Sequence, residues 1–369
     1  MDRARMRAWA EIDMDRLAEN YRALRALTGP DCRFLGVVKA NAYGHGAVPV
    51  ARKLEELGAD YLAVACLDEA EELRRSGISA PILILGVTPP ALGEELLRWD
   101  VTQSVGDLET AEALSAIAVR AGKRLKVHVK VDTGMSRLGF FHEGAGDQIL
   151  RLCRLPGLEA EGIFTHFADA DGDEAFTMLQ FQRFTALLDE LSAAGISFQI
   201  RHCAASAAVL NYPCTHLDMI RPGILLYGHY PAPGLEARCA LRPVMSLKAR
   251  IYALRDLPAG AKVSYGCTRT LERESRVAVL PVGYADGLPR LVSDRLQVLI
   301  RGRKVPLLGR VCMDMCMADV TDLPEVEVGD VATLYGDECP AEHAADLAGT
   351  ISYELLCAVS PRVPRVYKP

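Results

Sequence analysis

No apolar run in this sequence approaches the roughly 20 residues needed to span a bilayer, and no block of like charge forms a tail. Met1 to Glu11 carries arginines but no apolar h-region, so it does not read as a secretory signal. The 11 cysteines, an odd number, are scattered without CxxC spacing. That pattern argues against a disulfide framework and for a reduced, cytoplasmic compartment. The closest pair, Cys312 and Cys316, reads as two buried strand residues. No metal site is expected. The formal net charge of −6 argues against a nucleic-acid partner. A glycine fingerprint for a dinucleotide is also missing between the strands and their helices.

What is present is a long alternation of strand and helix. At 369 residues, half of them hydrophobic, the chain suits two domains with sizeable cores. Ala8–Asp13 reads as a short strand, and Arg16–Leu27 as an amphipathic helix. Strand-like runs recur at Phe34–Val38, Tyr61–Ala65, Pro81–Gly86, Val101–Val105, Leu125–Val131, Gly157–Phe164, Phe198–His202 and Leu217–Ile220. Helical patterns fall between them, with Asp68 read as a cap and a long helix from Glu174 to Ala194. Roughly eight strand–helix units over about 200 residues fit a (β/α)8 barrel better than an open sheet. Past Leu241 the grammar changes to short β runs with Gly and Pro turns, interrupted by one helix around Ile351–Val359. The expected organisation is an α/β TIM-like barrel over 1–235 and a mainly β domain over 236–369.

Chemistry in a parallel barrel gathers at the C-terminal ends of the strands. Val37-Val38-Lys39-Ala40-Asn41-Ala42-Tyr43-Gly44-His45-Gly46 places a lysine there. A lysine beside apolar residues loses hydration, which favours its neutral amine and makes it a Schiff-base candidate. Leu125–Asp132 alternates strictly, so Lys126, His128, Lys130 and Asp132 share the face that should point into the barrel. Arg137 follows on the same rim as Lys39, and His166 ends another strand. Ser206 stands at a strand-to-helix transition, where hydroxyl and backbone N–H groups can hold an anion. Arg221, a donor-only cation, precedes Gly223 and Ile224. In the β domain Tyr265 and Tyr284 lie beside glycines, and Gly309–Asp314 forms another unusual string. Singly each is weak; together they suggest one site.

These strings, ending in Ile351-Ser352-Tyr353-Glu354, resemble the alanine racemase family in the family's own order and along nearly the whole chain. The resemblance implies a pyridoxal 5'-phosphate enzyme of fold type III that interconverts L- and D-alanine and supplies D-alanine for peptidoglycan. By the same resemblance Lys39 holds the cofactor covalently and is one of two catalytic bases, the other being Tyr265. Tyr43, Ser206, Gly223, Ile224 and Tyr353 hold the phosphate, and Arg221 faces the pyridine nitrogen. His166 hydrogen-bonds Tyr265 and Arg221. Arg137 lies near the phenolic oxygen and, with Met313, meets the substrate. Lys130 is a candidate carbamate. Tyr265, Tyr284, Met313 and Asp314 reach the site from a second copy, which implies a head-to-tail homodimer. An unperturbed phenol titrates near about 10, so Tyr265 needs help from His166 and its arginine. One departure is Ala205, where the family usually has asparagine. A serine racemase module of the vancomycin-resistance type or a broad-specificity racemase is the nearest alternative. A fold-type III decarboxylase would need an acidic residue in place of Arg221, and a pyridoxal-phosphate carrier would lack the second domain.

Overall fold

Past the first strand, β1 (Ala8–Asp13), the chain builds a nearly closed ring of parallel strands in a computed structural model that describes residues 6–369. These are β2 (Arg33–Val37), β3 (Tyr61–Val64), β4 (Ile82–Ile84), β5 (Thr102–Val105), β6 (Leu125–Asp132), β7 (Leu158–Phe164), β8 (Ile200–His202) and β9 (Met219–Ile220). Each pairs in parallel with the next through β8. β9 pairs with β2, and an Ala205–Arg221 bridge just beyond β8 and β9 brings the ring almost to closure. Helices alternate with the strands, so this is the expected (β/α)8 barrel. β3 and β4 are buried at every position, as strands covered on both faces must be.

The helices owe their faces to spacing. Glu174–Ala193 buries Thr177, Gln180, Phe184, Leu187 and Leu191, a stripe at intervals of three and four. Asp173 caps it by accepting from the Phe176 N–H at 2.9 Å, and Asp107 caps Leu108–Arg120 through the Thr110 N–H at 2.7 Å. Asp68, read as a cap, instead lies in the first turn of Leu67–Arg75, whose N-cap residue is Cys66. There its charge favours the helix dipole without capping an N–H.

β1 belongs elsewhere. It sits between β10 (Met245–Arg250), antiparallel, and β17 (Arg365–Lys368), parallel. The six-stranded sheet runs β14 (Arg303–Pro306), β13 (Gln297–Ile300), β16 (Val331–Tyr335), β10, β1, β17. A second sheet joins β11 (Ala253–Leu257), β12 (Ser275–Leu280) and β15 (Cys316–Asp319). Residues 1–235 therefore do not all follow the barrel. The chain through Leu17, Tyr43–Gly46 and Arg242–Pro369 form one compact unit, and Ala18–Ala42 with Ala47–Leu241 form the other. The β unit also holds two helices near the C-terminus, Ala341–Ala348 and Ser352–Ala358, where sequence reading found one. No helix among the described residues is long and apolar enough to cross a membrane.

A single carboxylate stitches β1 to both neighbours. Glu11 Oε2 accepts from Lys248 on β10 at 2.7 Å and from Lys368 on β17 at 2.6 Å. Burial pushes the carboxyl up, but the hydrogen bonds from Lys248, Lys368 and Trp9 outweigh it and bring it from 4.5 down to about 2. A depressed folded-state value stabilises fully above 4.5 and fades as pH falls through about 2. Glu11→Gln should therefore cost about 1–3 kcal/mol at neutral pH and almost nothing in strong acid. Urea midpoints of both proteins at neutral pH and at a pH below the folded-state value of about 2 measure this; parallel losses on acidification would remove Glu11 from that role.

Candidate active site

Lys39 directly follows β2 and the buried Val38, and is itself half-buried. The four residues after it are unusual. Ala40, Asn41, Ala42 and Tyr43 all have φ between 52° and 54°, a left-handed turn without a glycine. Each L-residue costs roughly 1–2 kcal/mol in that region, so the turn must be held. Glu69 Oε1 accepts from the Ala40 N–H at 2.6 Å while Oε2 accepts from the Ala65 N–H at 2.7 Å. Asn41 Oδ1 accepts from the Ala47 N–H at 2.8 Å and so starts the next helix, Ala47–Glu56. Strain of this kind gathers where a side chain must be aimed. Glu69→Ala would leave two N–H groups without their acceptor and should lower stability by about 1–3 kcal/mol. It should also expose Ala40 and Asn41 to fast amide exchange. Exchange rates matching the parent's would show that the turn holds itself.

The alternation of β6 puts His128 and Lys130 inside, whereas Lys126, expected on the same inward face, is exposed, its Nζ 3.8 Å from Glu161 Oε1. Val127, Val129 and Val131 are fully buried, and His128 is buried on the opposite face. Lys130 lies over the Phe164 ring, its Nζ 4.4 Å from the centroid. Burial, with Arg221 and Arg137 nearby, lowers it well below the ordinary lysine range, toward the neutral amine. Asp132 Oδ1 shapes the next loop by accepting from the Gly134 N–H at 2.9 Å and the Ser136 N–H at 3.0 Å. Arg137, beyond that loop, is exposed.

Arg221 is the buried centre of the barrel's polar interior. Its Nη2 donates to the carbonyls of Thr165 at 3.0 Å and Cys203 at 3.1 Å, and lies 3.2 Å from His166 Nδ1. Nη1 lies 2.9 Å from His202 Nδ1. Burial lowers the guanidinium to about 10, still charged at neutral pH. Burial and then Arg221 hold His166 well below its usual range, so it is neutral. Next to this centre Ser206 Oγ accepts from the Gly223 N–H at 3.0 Å, which leaves the hydroxyl proton to point elsewhere. Ile224 opens a 3-10 turn, so its N–H has no acceptor within that turn. A hydroxyl, the Ile224 backbone N–H, a neighbouring guanidinium and a strand-end amine suit an anionic ligand carrying a carbonyl. Ala205 offers no side-chain polar group there.

In the β unit three loops are locked together. The Tyr284 N–H donates to the Cys312 carbonyl and the Ala285 N–H to the Met313 carbonyl, both at 3.0 Å. Ser264 Oγ donates to the Arg310 carbonyl at 2.6 Å. A Cβ on Gly283 would come within 2.3 Å of the Cys312 carbonyl oxygen, so only glycine lets these loops meet. The result presents Tyr265 68 %, Tyr284 44 % and Met313 52 % exposed, three large side chains. Asp314 is paired with Arg362 at 2.7 Å. Tyr353 faces Tyr43, ring centroids 6.0 Å apart, and burial with that neighbour raises the Tyr43 phenol.

The structure thus gathers Lys130, His166, Ser206, Arg221, Gly223 and Ile224 in the barrel unit, and Tyr265, Tyr284 and Met313 on one set of loops. Sequence reading missed Glu69, His202 and Glu161. Glu161 ends a line of buried polar side chains from Arg221, and only its inward register on β7 could have marked it.

The chain matches the family description "Alanine racemase, N-terminal domain" over residues 12–231 and "Alanine racemase, C-terminal domain" over residues 244–367. It is 48% identical over 363 residues to an alanine racemase of Desulforamulus reducens, covering 97% of this chain and 98% of that one. An alanine racemase of Methanococcus maripaludis is 47% identical, with 97% and 98% covered. Among solved structures, an alanine racemase of Clostridium difficile 630 superposes with a TM-score of 0.95 at 41% identity, over 98% of this chain and 96% of that one.

Proposed function

Because the chain belongs to the alanine racemase family and is a pyridoxal-phosphate-dependent racemase, we propose that it interconverts L- and D-alanine with Lys39 and Tyr265 as bases on opposite faces of Cα. Bound, the cofactor supplies the electron withdrawal that acidifies the amino acid's Cα–H. The rest falls to this chain. Lys39 takes or gives the proton on the face used by D-alanine. Tyr265 of a second copy does so on the face used by L-alanine, and Tyr284, Met313 and Asp314 accompany it in a head-to-tail homodimer. The exposure of the Tyr265–Tyr284–Met313 loops supports that assembly, since exposed apolar and aromatic groups that cluster are a common mark of an interface.

Ser206, Gly223, Ile224, Tyr43 and Tyr353 would hold the phosphate; their donors fit its acceptor oxygens. Arg137 would lie near the phenolic oxygen and, with Met313, orient the substrate carboxylate. Lys130, its neutral amine favoured by burial, would add carbon dioxide and release a proton to give a carbamate anion. That anion would pair with Arg137, which a neutral amine cannot do. The D-alanine formed would serve peptidoglycan, in the cytoplasm.

The observation that carries this reading against a decarboxylase is Arg221. Its guanidinium is fully buried, and its hydrogen-bond partners are carbonyls and two histidines rather than a carboxylate. A donor-only guanidinium would hold the cofactor's ring nitrogen as an acceptor and not as a protonated donor, where a decarboxylase would need a carboxylate. Deuterium uptake at Cα in heavy water, measured for L- and D-alanine, serine and other small amino acids, tests the proposal. Matched exchange and inversion with alanine support it. A preference for serine would move the substrate to the serine racemase type. Absence of exchange with every amino acid would leave the carrier reading.

A further inference from the structure

Arg221 is one end of a buried line that runs away from the Lys39 rim. His202 Nδ1 lies 2.9 Å from Arg221 Nη1, and His202 Nε2 lies 2.8 Å from His128 Nδ1. His128 Nε2 in turn lies 3.4 Å from Glu161 Oε2. Tyr61 donates its hydroxyl to the same oxygen at 2.5 Å, and Lys126 Nζ stands 3.8 Å from Oε1. The fold makes room for this line. His128 pairs across the strands with Gly162, where a Cβ would come within 2.7 Å of the imidazole. The His202 ring lies flat on Phe164, centroids 4.7 Å apart and planes 5° from parallel.

The chemistry of the two ends sets the direction of every proton between them. A guanidinium only donates, so His202 Nδ1 accepts. A neutral imidazole that accepts at Nδ1 carries its proton at Nε2. That N–H therefore donates to His128 Nδ1, which leaves His128 with its own proton at Nε2. Glu161, an ionised carboxylate, only accepts, so the last bond fits as well. The reverse order fails at both ends. Burial keeps both histidines neutral: it lowers His202, with Arg221 adding to the effect, and it lowers His128 against the pull of Glu161. Burial works against the Glu161 charge, but the bonds from His128 and Tyr61 outweigh it and hold the carboxyl at about 2.

We infer that Glu161 is a positioning residue for the reaction, acting through His128 and His202 to orient Arg221 and to give its buried cation a counter-charge two imidazoles away. The arrangement has a chemical advantage over a direct salt bridge. A carboxylate in contact with Arg221 would consume its donors and cancel its field at the Lys39 rim. A line of oriented neutral dipoles offsets part of the burial cost and leaves the field in place. The bonds above engage Nη1 and Nη2, and none of them involves Nε.

The kinetic consequence rests on the racemase reading; the proton order does not. Nitrogen-15 NMR of selectively labelled histidine, on the cofactor-loaded protein and after cofactor removal, should show His202 and His128 both protonated at Nε2 only. A proton at Nδ1 of His202, or on both of its nitrogens, would overturn the inference whatever the enzyme does. Glu161→Gln keeps an acceptor oxygen and removes the charge. It should lower kcat for alanine about tenfold, by analogy with the loss of a hydrogen-bond partner behind a metal ligand, with KM within about twofold. The fraction of turnovers that release pyruvate should rise as well, in which alanine plus the aldehyde form of the cofactor give pyruvate plus its amine form. A purely structural role would lower the thermal midpoint without moving that fraction, and an unchanged kcat and pyruvate fraction would also sink the idea. Should Glu161→Gln not fold, His128→Gln against His128→Leu decides: an amide accepts with its oxygen and donates with its nitrogen, so Gln should retain more kcat than Leu. Equal loss in the two rejects the oriented line. A parent protein that shows the assigned tautomers but never racemises alanine would remove the proposed function and spare the proton order.

Discussion

Lys39→Ala should fold, retain both domains and lose racemisation by more than about 10³-fold in both directions. On the proposed assignment the amine would both hold the cofactor covalently and move the proton on one face of Cα, and alanine can do neither. The left-handed turn that follows should survive, because its restraints come from Glu69 and Asn41 rather than from the lysine side chain. Retention of near-parent stability is therefore part of the expected result. Borohydride reduction of the parent, followed by digestion, should leave the cofactor on the peptide that contains Lys39. Lys130 is the sharpest competitor, since it too is inward-facing and pushed toward its neutral amine. Label recovered on Lys130, or racemisation surviving in Lys39→Ala, would transfer the role and with it the whole orientation proposed for the site.

The sequence made the barrel legible because its strands announce themselves locally. Ile82–Ile84 and Tyr61–Val64 are apolar at nearly every position, and Leu125–Asp132 alternates so strictly that its inward face could be assigned in advance. β1 has the same local signature and a different fate. Its partners are Met245–Arg250 and Arg365–Lys368, far along the chain, and nothing within Ala8–Asp13 records that. The rim residues were legible for the same reason as the strands, because each stands just past a strand end. The left-handed turn was not. Ala40-Asn41-Ala42-Tyr43 contains only one residue that tolerates this region well, and the acceptor that holds it, Glu69, lies on a helix of the following unit. Glu161 was hidden by its company. In Leu158–Phe164 it reads as one more partly polar strand position, and its meaning comes from two histidines on separate strands, β6 and β8, that line up with it only in three dimensions.

Tyr265→Ala should separate the two directions of the reaction and locate the second base in another copy of the chain. On the proposed assignment, removing the phenol would take away the proton carrier for the face used by L-alanine, while Lys39 would remain for the other. Deuterium exchange at Cα from L-alanine should fall by more than about 10³-fold, and exchange from D-alanine should persist in part. Equal losses from the two enantiomers would rule out the assignment of one base to each face. Tyr265 is 68 % exposed in the single chain, which a base working within its own subunit would not tolerate, since proton transfer at Cα requires water to be kept from the reacting groups. A mixing experiment turns that exposure into a test. Lys39→Ala and Tyr265→Ala proteins, each inactive as a racemase, are combined, dissociated and reassociated. If each site takes Lys39 from one copy and Tyr265 from the other, half of the dimers are mixed and each mixed dimer carries one intact site, so activity returns to about a quarter of the parent value. If both residues came from the same copy, no mixed dimer could hold an intact pair. The mixture would then stay inactive, and the shared site would have to be given up even if both single variants behaved as expected.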